Sequence, residues 1–113
     1  MTIKTGIDLV YLPRFKKSLK NGGENFLRRV FLKEELADQR IEHLAGIFAA
    51  KEAVIKALSL PSDSWHDIQI SHKKEGNPQV QLATSHFSLP TSSLSISHDG
   101  NYVVAHFVAI LNE

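Results

Sequence analysis

The chain has no cysteine among its 113 residues. Disulfide staples and thiolate metal sites are excluded, which agrees with a reducing compartment. A strong charge of either sign is also missing: 13 basic residues against 12 acidic ones leave a formal net charge of +1. A general nucleic-acid binder is usually far more basic, so no nucleic-acid partner is expected. No apolar run has the length that crosses a bilayer. The opening stretch "MTIKTGIDLV", charged already at Lys4 and Asp8, lacks the apolar centre of a secretory signal. These absences predict a cytoplasmic protein with no membrane partner. A Walker-type glycine loop and the glycines of a nucleophile elbow are absent too. Any phosphate binding therefore falls to lysine, histidine, backbone or a metal.

What is present suffices for a core. Hydrophobic residues make up 42% of the chain, enough for one small domain, expected to span residues 1–113. The stretch "IKTGIDLVYL" predicts a strand, with Ile7 and Leu9 on one face, Asp8 and Val10 on the other, and Pro13 at its end. Residues 14–40 predict helical pieces broken at Asn21, Gly22 and Gly23. A central helix follows from about Ile41 to Leu60 and stops at Pro61, with a loop at residues 62–64. Residues 67–82 predict two strands around a turn at Glu75, Gly76, Asn77 and Pro78, and a polar connector covers 83–93. Residues 94–111 predict a hairpin turning at Asp99, Gly100 and Asn101. Strand, helices and then a run of strands imply an α+β fold, with a long central helix packed on an antiparallel sheet.

The central helix carries an inconsistency. Leu44, Ile47, Phe48, Val54, Ile55 and Leu58 form a stripe of large residues. Ala45, Gly46, Ala49, Ala50, Ala53 and Ala57 make most of the opposite side small, as close approach of another backbone requires. A helix apolar or small all round is usually buried, yet Lys51, Glu52 and Lys56 run through its middle. Glu52 and Lys56, four apart, can form an ordinary surface ion pair beside a snorkelling Lys51. Alternatively a carboxylate and an ammonium on one buried helix bind a metal and a phosphate, because a buried ion must be paired or coordinated. Asp8 offers the same choice. An aspartate in a strand either faces solvent or supplies a second hard oxygen of the kind Mg²⁺ takes together with phosphates and waters. His98 closes the hairpin strand "SISHD" and by itself reads as turn decoration; His72, His86 and His106 have no metal-ligand spacing and are expected to be structural. A locally basic segment containing Arg14, Lys16, Lys17, Lys20, Arg28, Arg29 and Lys33 is hidden by the near-neutral total.

Four motifs together resemble one family. "GIDLVYLPRF", "FAAKEAVIKAL", "GNPQV" and "SISHDGNYVVA" are similar, in order and over essentially the whole chain, to the holo-acyl-carrier-protein synthases. These are the small single-domain 4′-phosphopantetheinyl transferases. F-x-x-K-E-A-x-x-K-A is specific, and its combination with S-I-S-H-D is strong; G-I-D alone is weak. The resemblance implies a long helix on an antiparallel sheet and trimers with active sites between neighbouring subunits. It also implies transfer of 4′-phosphopantetheine from coenzyme A to a serine of an apo acyl carrier protein, releasing adenosine 3′,5′-bisphosphate. Asp8 and Glu52 would then ligate Mg²⁺, and Lys56 would face the pyrophosphate. His98 would contact the coenzyme's phosphates, and Lys51 would support the coenzyme or the local fold. Glu52 is the preferred base, directly or through a metal-bound water, with Lys56 the alternative. Arg14 and Arg29 match arginines that dock the acidic carrier protein, and Arg28 is added from the same basic segment.

Three positions depart from the family pattern. Ile47 stands where an arginine that helps hold the coenzyme is common, Asn25 replaces an arginine before Phe26, and "KALSLPSDSW" leaves the helix without glycine. These departures bear on coenzyme affinity and carrier choice, because isoleucine cannot replace a bidentate phosphate contact. A catalytically weakened or non-catalytic carrier-protein or coenzyme-binding relative is therefore the alternative. A plain oligomeric interaction domain, a third reading, would have no use for Asp8 and Glu52.

Overall fold

The first strand, β1 (Thr2–Tyr11), turns Gly6 and Val10 into the core and leaves Ile3, Ile7, Leu9 and Tyr11 exposed. The alternation is the one expected, but the bulkier apolar side faces out. The structure is a computed structural model describing residues 1–83 and 91–112. After β1 come helix α1 (Leu12–Val30), a 3₁₀ turn (Lys33–Ala37), helix α2 (Ile41–Leu58) and a second 3₁₀ turn (Ser64–Asp67). Strands β2 (Ile68–His72), β3 (Pro78–Leu82), β4 (Thr91–Asp99) and β5 (Tyr102–Leu111) follow.

Pro13 does not separate strand from helix. It sits in the first turn of α1, where a missing N–H costs nothing. The break expected at Asn21, Gly22 and Gly23 lies at Gly23, whose φ of 52° and ψ of −137° kink α1. Helix is not regained beyond Val30: Phe31 is extended, and only the 3₁₀ turn precedes α2.

Strands β1, β5 and β4 form one antiparallel sheet in that order, and β2 and β3 a second. Asp99 pairs with Tyr102, so Gly100 (φ 57°) and Asn101 make the tight hairpin turn. β4 begins three residues before the expected Leu94. Residues 84–90 of the connector, His86 among them, lie outside the described residues. Helix α2 packs chiefly on β1 and β5 with its small-residue side. The closest approach is at Gly6, where a Cβ would fall 1.9 Å from the Ala53 carbonyl oxygen and 2.9 Å from the Ala57 nitrogen. Only glycine lets the two backbones meet there. Val103, Ala105, Phe107 and Ala109 of β5 form the sheet's half of the core. At its far end α2 closes on Ser59 in the left-handed region (φ 53°, ψ 43°), with the Ser59 N–H donating to the Ile55 carbonyl. A serine thus holds a conformation that usually favours glycine.

Candidate active site

The Gly6 contact fixes what surrounds it. Two residues on, Asp8 shares the inward side of β1, and one turn of α2 past Glu52 lies Lys56. Lys56 Nζ donates to Asp8 Oδ1 at 2.9 Å and to the Ile7 carbonyl at 3.0 Å. The Lys56 side chain keeps 53% of its exposure and Asp8 only 15%. Glu52 takes a different partner: its Oε1 accepts from Trp65 Nε1 at 3.2 Å. Glu52 and Lys56 therefore do not form the ordinary i to i+4 ion pair that their spacing permits.

Asp8 and Glu52 open into one cavity of about 270 Å³, shared with Tyr11, Arg14, Phe15 and Phe48. Phe15, Phe26 and Phe48 pack ring against ring beneath it, with centroids 5.5 to 6.1 Å apart. Among the described residues no group of three or more metal-binding side chains gathers. The protein's share of a cation site would be these two carboxylates, each with one oxygen held by a neighbour and the other without a partner among the described residues. Two hard oxygens with room beside them fit Mg²⁺, which usually completes its shell with phosphates and water.

His98 lies apart from them. In the sheet register Asp8 pairs with Ala105, Val10 with Val103, and Val103 with His98. Two strand spacings and two residues separate Asp8 from His98, about 12 Å. His98 is exposed and lines a second cavity, about 260 Å³, with Arg40, His43, Gly46, Ile47 and His72. Burial pushes the His43 imidazole below its ordinary range, opposed by Asp38. Arg40 is engaged by Asp38 at 2.7 Å, which holds that carboxyl well below the usual carboxylate range. Ile47, at the position where the resemblance leads to an arginine being expected, is 1% exposed and brings no charge. A third cavity, about 560 Å³ between β3 and β4, is lined by none of the expected site residues.

Of the two roles expected for Lys51, support of the coenzyme or of the local fold, the geometry favours the second. Lys51 is fully buried, and its three donors meet Glu35 Oε1 at 2.6 Å, the Val30 carbonyl at 2.7 Å and the Trp65 carbonyl at 3.0 Å. A lysine has no fourth N–H to offer, so Lys51 supports the local fold and leaves nothing for a coenzyme. Burial pushes its ammonium below the ordinary range, and Glu35 opposes that push. Glu35 in turn accepts from the Leu32 and Ile70 N–H groups at 2.7 and 2.8 Å. Sequence reasoning missed Glu35 and Trp65. The signal available was the presence of Lys51 in an apolar stripe, which demanded a partner without saying where.

Of the three arginines expected to dock a carrier protein, Arg14 is exposed at the rim of the Asp8 and Glu52 cavity. Exposed Arg28 approaches Glu24 at 3.7 Å, and the Arg29 guanidinium lies 5.8 Å from the centre of the Trp65 ring.

The chain belongs to the 4′-phosphopantetheinyl transferase superfamily, whose family model matches residues 4–106. Among its relatives is the holo-[acyl-carrier-protein] synthase of Protochlamydia amoebophila, 38% identical, with 96% of this chain and 98% of the relative covered. That of Sulfurovum sp. is 36% identical, with 91% and 92% covered. The crystal structure of the Helicobacter pylori holo-[acyl-carrier-protein] synthase in complex with coenzyme A superposes with a TM-score of 0.85 at 32% identity, covering 94% of this chain and 99% of that one. The Neisseria meningitidis synthase gives the same TM-score and identity, with 96% and 98% covered. The α+β fold expected from the sequence agrees with these neighbours. No helix among the described residues is long and apolar enough to cross a membrane.

Proposed function

We propose that this chain, as a single domain of residues 1–113 in the cytoplasm, transfers 4′-phosphopantetheine from coenzyme A to a serine of an apo acyl carrier protein. The observation carrying the proposal is the convergence of Asp8, Glu52 and Arg14 on one cavity, with Lys56 bound to Asp8 at its edge. In the reaction the serine oxygen bonds to the β-phosphorus of coenzyme A. The bond from that phosphorus to the bridging oxygen breaks, adenosine 3′,5′-bisphosphate leaves with the electron pair, and the serine proton goes to a base. Bound at Asp8 and Glu52, Mg²⁺ would neutralise charge on the phosphates. Lys56, held by two acceptors, suits charge stabilisation at the pyrophosphate better than proton removal, which leaves Glu52, acting through a water, as the base.

The distance between the Asp8 cavity and His98 supports a homotrimer. A neighbouring copy can bring its His98 to this chain's carboxylates, which one chain alone does not do. The outer face of β1, with Ile7 59% and Leu9 64% exposed, is the apolar surface such an assembly would cover. Arg14 at the cavity rim, with Arg28 and Arg29 further along α1, is the proposed docking surface for the acidic carrier.

The uncharged Ile47 favours a second reading, a relative that binds coenzyme A weakly and transfers slowly or not at all. Intact mass of an apo carrier protein after incubation with coenzyme A and Mg²⁺ separates the two. A gain of one phosphopantetheine, lost in Glu52→Ala, is expected, and Arg14→Glu should weaken use of the carrier while leaving coenzyme A binding unchanged. No gain across the host's carrier proteins would overturn transfer, and native mass of a monomer would overturn the trimer.

A further inference from the structure

Trp65 has no assigned role, yet it is fixed at three points. Its carbonyl accepts from the buried Lys51 ammonium at 3.0 Å, and that ammonium is anchored by Glu35 at 2.6 Å. Its ring packs at 6.5 Å from Phe48, with the Arg29 guanidinium over the ring at 5.8 Å. Its indole N–H points at Glu52 Oε1, 3.2 Å away. A carboxylate on a two-carbon stem swings freely unless something holds one oxygen, and a half-buried indole is a donor only. With Oε1 taken by the indole, the carboxylate's swing is restricted and Oε2 is the oxygen left for a ligand in the cavity.

We propose that Trp65 is a positioning residue for Glu52: its indole N–H, pinned through Lys51 and Glu35, orients the carboxylate toward a divalent cation. The inference rests on the Mg²⁺ reading above and goes beyond it. It gives the Lys51–Glu35 pair a consequence for chemistry at a distance, through the backbone of Trp65. Trp65 is also the sole tryptophan of the chain, so its fluorescence reports on this one site.

The test compares the wild type with Trp65→Phe, which keeps a ring beside Phe48 and Arg29 and removes the donor together with part of the ring volume. Mn²⁺ serves as the probe, titrated by electron paramagnetic resonance in the presence of coenzyme A. Losing an outer partner of a metal ligand typically weakens metal binding by about tenfold or more. Trp65→Phe should therefore raise the Mn²⁺ dissociation constant, and the Mg²⁺ concentration giving half-maximal transfer, by about tenfold. Transfer at saturating Mg²⁺ should stay close to wild type. In the wild type, Mg²⁺ with coenzyme A should shift the tryptophan emission, and Glu52→Gln should abolish the shift. This second readout stands even where Trp65→Phe folds poorly. Equal Mn²⁺ affinity in wild type and Trp65→Phe, or a wild-type emission indifferent to Mg²⁺, overturns the positioning role alone. A wild type that binds no Mn²⁺ and transfers without Mg²⁺ overturns the cation reading and this inference with it.

Discussion

Two lysines five residues apart on α2 each pair with a carboxylate, and the two pairs do opposite things. Lys51 and Glu35 meet at 2.6 Å with side-chain exposures of 0% and 1%; Lys56 and Asp8 meet at 2.9 Å with 53% and 15%. The buried pair uses every ammonium proton and ties α2 to the end of α1, both 3₁₀ turns and β2. The open pair leaves a carboxylate oxygen and a half-exposed ammonium beside a cavity. Burial decides which lysine braces the fold and which can meet a ligand. An exposed pair contributes only about 0–1 kcal/mol to stability, so Lys56 and Asp8 are poorly explained as a structural device.

The comparison breaks most sharply at Lys51. Lys51→Met strands Glu35 as a buried charge, and loss of one partner of such a pair costs about 3–5 kcal/mol. Urea unfolding should show a loss of that size, while the molecules that remain folded keep their transfer rate at saturating Mg²⁺. A loss below about 1 kcal/mol would mean the pair is not a brace. Gly6→Ala attacks the other region. A methyl 1.9 Å from the Ala53 carbonyl must push α2 off β1, at about 1–3 kcal/mol, and part Lys56 from Asp8. Thermal unfolding and transfer should both suffer, and unchanged transfer would show that the close approach does not set the site. Ser59→Gly is the control that touches neither pair. Relieving a left-handed serine should stabilise by about 1 kcal/mol and leave transfer as it was, both read in one urea and activity series.

How much of this was legible depends on how far apart in sequence the partners lie. The hairpin at Gly100 and the kink at Gly23 were readable because local residues dictate them. The small side of α2 was readable too, but its partner Gly6 was not, because residues 6 and 53 meet only in the folded chain. Alternation in β1 separated Ile7 and Leu9 from Asp8 and Val10 without telling which side α2 covers. The helical pieces expected over residues 14–40 give way after Val30 to a single 3₁₀ turn, because Phe31 is spent on the core and Glu35 turns back to the Leu32 N–H. Glu34 and Glu35 look alike in the sequence; only the fold buries one against Lys51. At the site, Asp8, Glu52 and Lys56 stood out as charges in apolar surroundings. Trp65 did not, since an aromatic residue after a helix ordinarily reads as core.

The central claim is that Lys56 serves chemistry and Lys51 serves the fold. The most direct measurement is the transfer rate per folded molecule of Lys56→Met, set beside its unfolding free energy. The account predicts stability within about 1 kcal/mol of wild type and transfer reduced by about 10²-fold or more, as when one group that stabilises developing charge is removed. Wild-type transfer in Lys56→Met, or a collapse in stability like that expected of Lys51→Met, would contradict it.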